Sequence, residues 1–73
     1  MTRDDLLRQI EKILEAAPKS INGAEKLADL ASWDSLAILS FIATVDKSCG
    51  VRLKADQIYS CNTVNDLLTL AKV

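Results

Sequence analysis

Ser32-Trp33-Asp34-Ser35-Leu36, continuing through Ala37-Ile38-Leu39-Ser40-Phe41-Ile42-Ala43-Thr44-Val45-Asp46-Lys47-Ser48-Cys49-Gly50, reads as a loop that turns into a helix. Asp34 is a good N-cap, because its short carboxylate can accept from the free backbone N–H groups of a first turn. It also sets negative charge at the positive end of the helix dipole. Ser35 then falls at the first helical position, with its hydroxyl at the helix mouth. Exposed N–H groups at such a mouth favour an anion such as a phosphate. Gly50 is a C-terminal stop, so a helix is predicted from Ser35 to Ser48 or Cys49. At about 100° per residue, Ile38, Phe41, Ile42, Val45 and Cys49 share one arc and are predicted core, with Leu39 at its margin. Leu36, Ser40, Ala43 and Lys47 form a second stripe, mostly small or polar, that begins beside the serine.

Upstream, Thr2-Arg3-Asp4-Asp5 is a capping-box pattern, with Thr2 as cap and Asp5 reaching back. Leu6, Leu7, Ile10, Ile13, Leu14 and Ala17 follow at helical spacing, and Arg8, Gln9, Glu11, Lys12 and Glu15 are assigned to the wet face. Pro18 is predicted to end this helix near Ala16 or Ala17. Lys19 to Trp33 is a long connection, of the kind that is often functional in a small domain. Asn22-Gly23 marks a turn, Ile21 anchors the loop, and Ala24 to Leu30 holds a short helical turn with Leu27 and Leu30 inward. Trp33, just before the cap, is assigned a staple-like contact that fixes the helix entry angle.

Downstream, Val51-Arg52-Leu53 is too short for a strand. Lys54 to Tyr59 is predicted as a short helix with Ile58 inward and Tyr59 half-buried. Thr63-Val64-Asn65-Asp66 repeats the capping box, and Val64, Leu67, Leu68 and Ala71 line the buried face of a last helix.

A chain of 73 residues implies one domain, residues 1–73, with a modest core. Few β-branched runs and few turn residues favour an all-α fold. Nine basic residues against ten acidic ones leave no basic excess, which argues against nucleic acid as a partner. No apolar run reaches membrane-spanning length, and the charged start Thr2-Arg3-Asp4-Asp5 is unlike a signal peptide, so the expected location is cytoplasmic and no membrane partner is expected. With no histidine and only Cys49 and Cys61, a structural zinc site lacks ligands, and no metal is expected. The two cysteines are read as reduced thiols in core or half-core positions, a disulfide being the alternative.

Asp34-Ser35-Leu36 resembles the Asp-Ser-Leu motif of acyl and peptidyl carrier proteins. The resemblance covers nearly the whole chain: a first helix, a long loop, Trp33-Asp34-Ser35-Leu36 opening a second helix, Gly50-Val51-Arg52-Leu53 after it, and Thr63-Val64-Asn65-Asp66-Leu67 opening a last one. It implies a four-helix bundle of acyl-carrier-protein type, with three longer helices, a short third helix and a long loop between the first two. It also implies a 4′-phosphopantetheine arm, taken from coenzyme A and attached to Ser35 between Asp34 and Leu36. The arm carries an acyl or aminoacyl group as a thioester. The implied partners are a phosphopantetheinyl transferase, an acyl-loading synthetase or acyltransferase, and downstream biosynthetic enzymes, with the carrier itself a monomer. The second helix is the recognition helix of that family, which makes Leu36, Ser40, Ala43 and Lys47 the expected docking strip. Ser40 and Lys47 stand where the family usually has glutamates, which points to a specialised pathway rather than general fatty-acid synthesis.

The chemistry of the residues agrees with a non-catalytic role. A nucleophilic serine needs a base within hydrogen-bond reach. No histidine is present, Lys47 lies about three turns from Ser35 along the helix, and Asp34 is spent as a cap. A modified serine needs none of these, because a separate transferase supplies the catalysis. Two other readings stay open on the residues alone: an aminoacyl or peptidyl carrier of nonribosomal type, and a helical protein-interaction domain whose Ser35 is never modified.

Overall fold

The computed structural model describes residues 1–73, in which four α-helices and one 3₁₀ turn follow in order: α1 (Arg3–Leu14), the turn Leu27–Asp29, α2 (Ser35–Cys49), α3 (Ala55–Tyr59) and α4 (Val64–Leu70). No strand forms, and the sole β-type pairing is an isolated antiparallel bridge between Lys26 and Thr63. The architecture is the all-α bundle of acyl-carrier-protein type, with α3 the shortest helix and a long loop joining α1 to α2.

The helix starts follow the cap chemistry. Thr2 Oγ1 accepts from Asp5 N–H at 3.1 Å, and Asp5 accepts from Thr2 N–H at 3.0 Å. Thr63 and Asp66 repeat the exchange at α4, where Asp66 also accepts from Asn62 N–H at 2.8 Å. At α3 the Gln57 side chain accepts from Lys54 N–H at 2.9 Å. Each pair satisfies donors that a helix end otherwise leaves without partners.

One apolar cluster joins the elements. Phe41 and Val45 of α2, Leu6 and Ile10 of α1, Ile58 of α3, and Val64 and Leu67 of α4 are all at most 1% exposed. The long loop adds Ile21 and Leu27, both buried as the sequence implies, and the link after α2 adds Leu53.

Several expectations need correction. α1 stops at Leu14, because Glu15 takes the left-handed conformation at φ 56° and its N–H turns back to Glu11 and Lys12. The helix therefore ends before Pro18 can end it, and Ala17 is exposed rather than on the buried stripe. Glu11, assigned to the wet face, is 3% exposed. Its position explains this: it lies four residues after Leu7 and three before Leu14, inside the apolar stripe. On α2 the buried arc is rotated toward Ala37, which is buried, so Ile42 and Cys49 are only half-buried. Leu39 is on the outside, and Tyr59 is exposed, not half-buried. Leu30 reaches the core only in part.

Candidate functional site

The loop–helix junction at Asp34 and Ser35 is built from the cap outward. Asp34 keeps an extended backbone, and its Oδ1 accepts from Ala37 N–H at 2.9 Å. Its carbonyl accepts from Ile38 N–H at 2.9 Å, which starts the helix ladder. Ser35 is the first helical residue and is exposed, as are Asp34 and Leu36. The backbone N–H groups of Ser35 and Leu36 find no acceptor in the protein. At the other end, Gly50 takes φ 68° and its N–H closes on Asp46, so α2 runs the full predicted length.

Trp33 fixes how the chain enters α2. Its ring meets Phe41 edge-to-face, with centroids 6.0 Å apart and planes at 71°, a favoured geometry for aromatic pairs. The staple-like role expected of Trp33 thus falls largely on Phe41, one turn beyond the usual partner position. Trp33 is half-buried and packs on the central cluster, so the residues before Ser35 are tethered from below.

The junction forms a ridge between two depressions. On one side a groove of about 410 Å³ runs between the end of α1 and the start of α2, lined by Ile13, Glu15, Ser32, Asp34, Leu36 and Ser40 among others. On the other side Trp33 opens onto a cleft of about 460 Å³ lined by residues of hydrophobic type. Leu27 and Leu30 come from the loop, Ile38 from α2, and Ile58 and Tyr59 from α3.

The loop that carries the ridge is held by a buried polar clamp. Glu11 Oε2 accepts from Ile21 N–H at 3.0 Å, and Arg8 donates to the Ile21 carbonyl at 2.9 Å. Arg8 Nε lies 2.9 Å from Glu11 Oε1, a charge–charge contact rather than an aligned hydrogen bond. Burial pushes the Glu11 carboxyl up. The backbone N–H groups of Ile21, Lys19 and Ser20, with the Arg8 guanidinium, outweigh it and leave the carboxyl below its ordinary range. Glu25 follows the same pattern: burial raises it, and N–H groups at Asn22 and Gly23 bring it down overall.

The expected docking strip divides. Leu36 is 72% exposed, and Ala43 and Lys47 are also exposed, whereas Ser40 is half-buried in the groove toward α1. Leu39, which periodicity alone set at the edge of the core, is 62% exposed. The signal that could have found it is the spacing Leu36, Leu39, Ala43, a helical stripe on the side of α2 opposite Phe41 and Val45.

Among known families, the one described as "Phosphopantetheine attachment site" matches residues 4–71, all but the first three and last two residues of the chain. The protein belongs to this phosphopantetheine-binding carrier family, and its cofactor is covalent 4′-phosphopantetheine. No curated protein and no solved structure matches the chain. Carrier domains of this kind are generally non-catalytic and work with a phosphopantetheinyl transferase and with biosynthetic enzymes. At the junction an exposed hydroxyl stands beside two N–H groups that have no acceptor in the protein, at the positive end of a helix. No group of three or more metal-ligating side chains occurs, and no helix is long and apolar enough to cross a membrane.

Proposed function

We propose that the chain is an acyl carrier protein whose arm is attached to Ser35, with residues 1–73 acting as one carrier unit. One observation carries this reading. Of the junction's residues, Ser35 alone combines a hydroxyl with the first helical position, an exposed surface and a cap, Asp34, that holds the turn rigid. A phosphopantetheinyl transferase joins the Ser35 oxygen to the phosphorus that carries the pantetheine in coenzyme A, breaking the pyrophosphate linkage and releasing adenosine 3′,5′-bisphosphate. The proton of the hydroxyl passes to a base on that enzyme, since this chain offers none nearby. An acyl-loading synthetase or acyltransferase then charges the terminal thiol as a thioester. The tethered cargo reaches successive enzymes at high effective concentration, which is the physical purpose of a swinging arm.

The cleft beside Trp33 supports an acyl rather than an aminoacyl cargo. Its lining residues are hydrophobic and would cover part of a short apolar chain, and no carboxylate stands among them to pair with an ammonium group. Cys49 and Cys61, both free thiols, suit a reducing compartment such as the cytoplasm. The absence of any acid on α2 before Asp46 supports a dedicated partner set rather than the enzymes of general fatty-acid synthesis.

The test is the intact mass of the folded protein after incubation with coenzyme A, magnesium and a broad-specificity phosphopantetheinyl transferase. The expected result is a gain of one phosphopantetheine in the native sequence and none in Ser35→Ala. An arm that still appears on Ser35→Ala, or no gain on the native protein, would overturn the assignment.

A further inference from the structure

We infer that the arm, before it is loaded, rests in the groove between the end of α1 and the start of α2, on the side of the ridge away from the Trp33 cleft. The inference rests on the attachment at Ser35 proposed above and adds where the arm lies. Both residues that flank Ser35, Asp34 and Leu36, line this groove, so an arm leaving the Ser35 oxygen starts at its rim. Ser40 continues the α2 wall one turn beyond Leu36, and Ile13 and Glu15 supply the wall at the end of α1. The groove holds about 410 Å³, within the range of about 300–1,000 Å³ usual for small-molecule sites.

The chemistry of the lining decides what the groove can take. Ile13 and Leu36 are apolar, whereas Glu15, Ser32, Asp34 and Ser40 bring carboxylate and hydroxyl oxygens, and no cation stands among the lining residues. Asp34 uses one oxygen to cap Ala37, and the side chains of Glu15, Ser32 and Ser40 make no hydrogen bond or ion pair within the protein. Acceptors without a cation repel an anion and suit a neutral chain of donors with apolar stretches between them. Pantetheine is such a chain: a gem-dimethyl carbon, a hydroxyl, two amide N–H groups and a thiol. The phosphate of the arm is held at Ser35 by the bond itself, so only the neutral part has to enter. The Trp33 cleft is lined by residues of hydrophobic type and would leave both amides without side-chain partners, a desolvation cost with no return until an apolar cargo is attached. A short tether also supplies an effective concentration of order millimolar, so contacts too weak to hold free pantetheine suffice for the attached arm.

The experiment uses the full chain, isotope-labelled, and converts it with unlabelled coenzyme A and a broad-specificity phosphopantetheinyl transferase under reducing conditions. Intact mass first establishes that the arm is on. Isotope-filtered NOE spectra then read contacts between arm protons and protein protons. The expected result is a set of NOEs from the gem-dimethyl and methylene protons of the arm to Ile13, Leu36 and Ser40, with none to Ile58 or Tyr59. The Glu15 and Ser40 amide resonances shift between the unmodified and the modified protein. Ser40→Glu sets a longer carboxylate into the groove at a half-buried position, and it loses the NOEs to Ile13 while the melting temperature holds. Tyr59→Ser, in the opposite cleft, keeps them. Should Ser40→Glu fail to fold, the native spectra decide alone. Arm contacts to Trp33, Ile58 or Tyr59, contacts confined to Ser35 and Leu36, or contacts to Ile13 that survive in a folded Ser40→Glu each overturn the inference and leave Ser35 as the modified residue. A native protein that gains no mass overturns the attachment reading instead, and the inference falls with it.

Discussion

α1 and α2 are built on opposite rules, although each lays one face on the same core. On α1 the division is sharp. Leu6, Leu7, Ile10 and Leu14 face inward, Lys12 and Glu15 face water, and the one charge that enters the apolar stripe, Glu11, is answered by Ile21 N–H and Arg8. On α2 both sides are apolar: Ala37, Ile38, Phe41 and Val45 are buried, while Leu36, Leu39 and Ala43 lie outside. α1 is finished by the fold itself and holds the long loop in place. α2 is finished only on its inner side, and its outer side begins beside the serine. The two helices thus separate a face closed by the fold from an apolar face left open.

That separation can be tested by substitutions that ought to behave differently on the two sides. The largest effect is expected inside α2. Phe41→Ala removes a fully buried ring that also supports Trp33. It should cost about 3–5 kcal/mol, enough to unfold a domain of this size, as read by chemical denaturation. A loss below about 1 kcal/mol would mean that Phe41 is not central to the packing.

Glu11→Gln comes next and probes the clamp on the loop. The native carboxyl lies below its ordinary range, so the folded state binds fewer protons than the unfolded state in mildly acidic solution. Its stabilising contribution is therefore complete at neutral pH, and it is lost as the pH falls through the folded-state value. The melting temperature of Glu11→Gln should lie below that of the native protein near neutrality, and the gap should close on acidification. A gap that widens in acid would contradict the clamp.

The smallest stability effect is expected outside α2. Leu36→Asp should change the folding free energy by no more than about 0.5 kcal/mol, as exposed substitutions usually do, while slowing modification of Ser35. A large loss of stability would show that Leu36 belongs to the core and would erase the contrast between the helices.

Much of this was readable from particular residues. Asp34 before Ser35, Thr2 with Asp5, Thr63 with Asp66, and Gly50 announce helix ends through local chemistry that tertiary packing does not override. The order of those signals, with Asp34-Ser35-Leu36 among them, was enough to suggest both the bundle and the arm. Glu11 was misplaced because its residue type was weighed above its position, and its partners, ten residues away in the loop, have no sequence signal. Glu15 was missed as the end of α1 because Pro18 is the louder breaker, and left-handed conformation at a glutamate is uncommon. Leu39 and Ile42 both lie further out than periodicity implies, Leu39 exposed and Ile42 half-buried. Periodicity gives the arc's width but not its centre, and the burial of Ala37 shows that the centre lies on its side. The two depressions beside the serine depend on how the loop and α3 lie against α2, and no periodicity encodes that.

The account's central claim is that the arm sits on the first residue of α2. Proteolysis of the modified protein followed by fragment mass spectrometry tests it most directly, because the chain offers five competing hydroxyls of the same kind: Ser20, Ser32, Ser40, Ser48 and Ser60. The account predicts a single phosphopantetheine on the fragment that contains Ser35, with the added mass on that residue. Its appearance on Ser32, three residues earlier in the loop, or on any of the other serines, would contradict it.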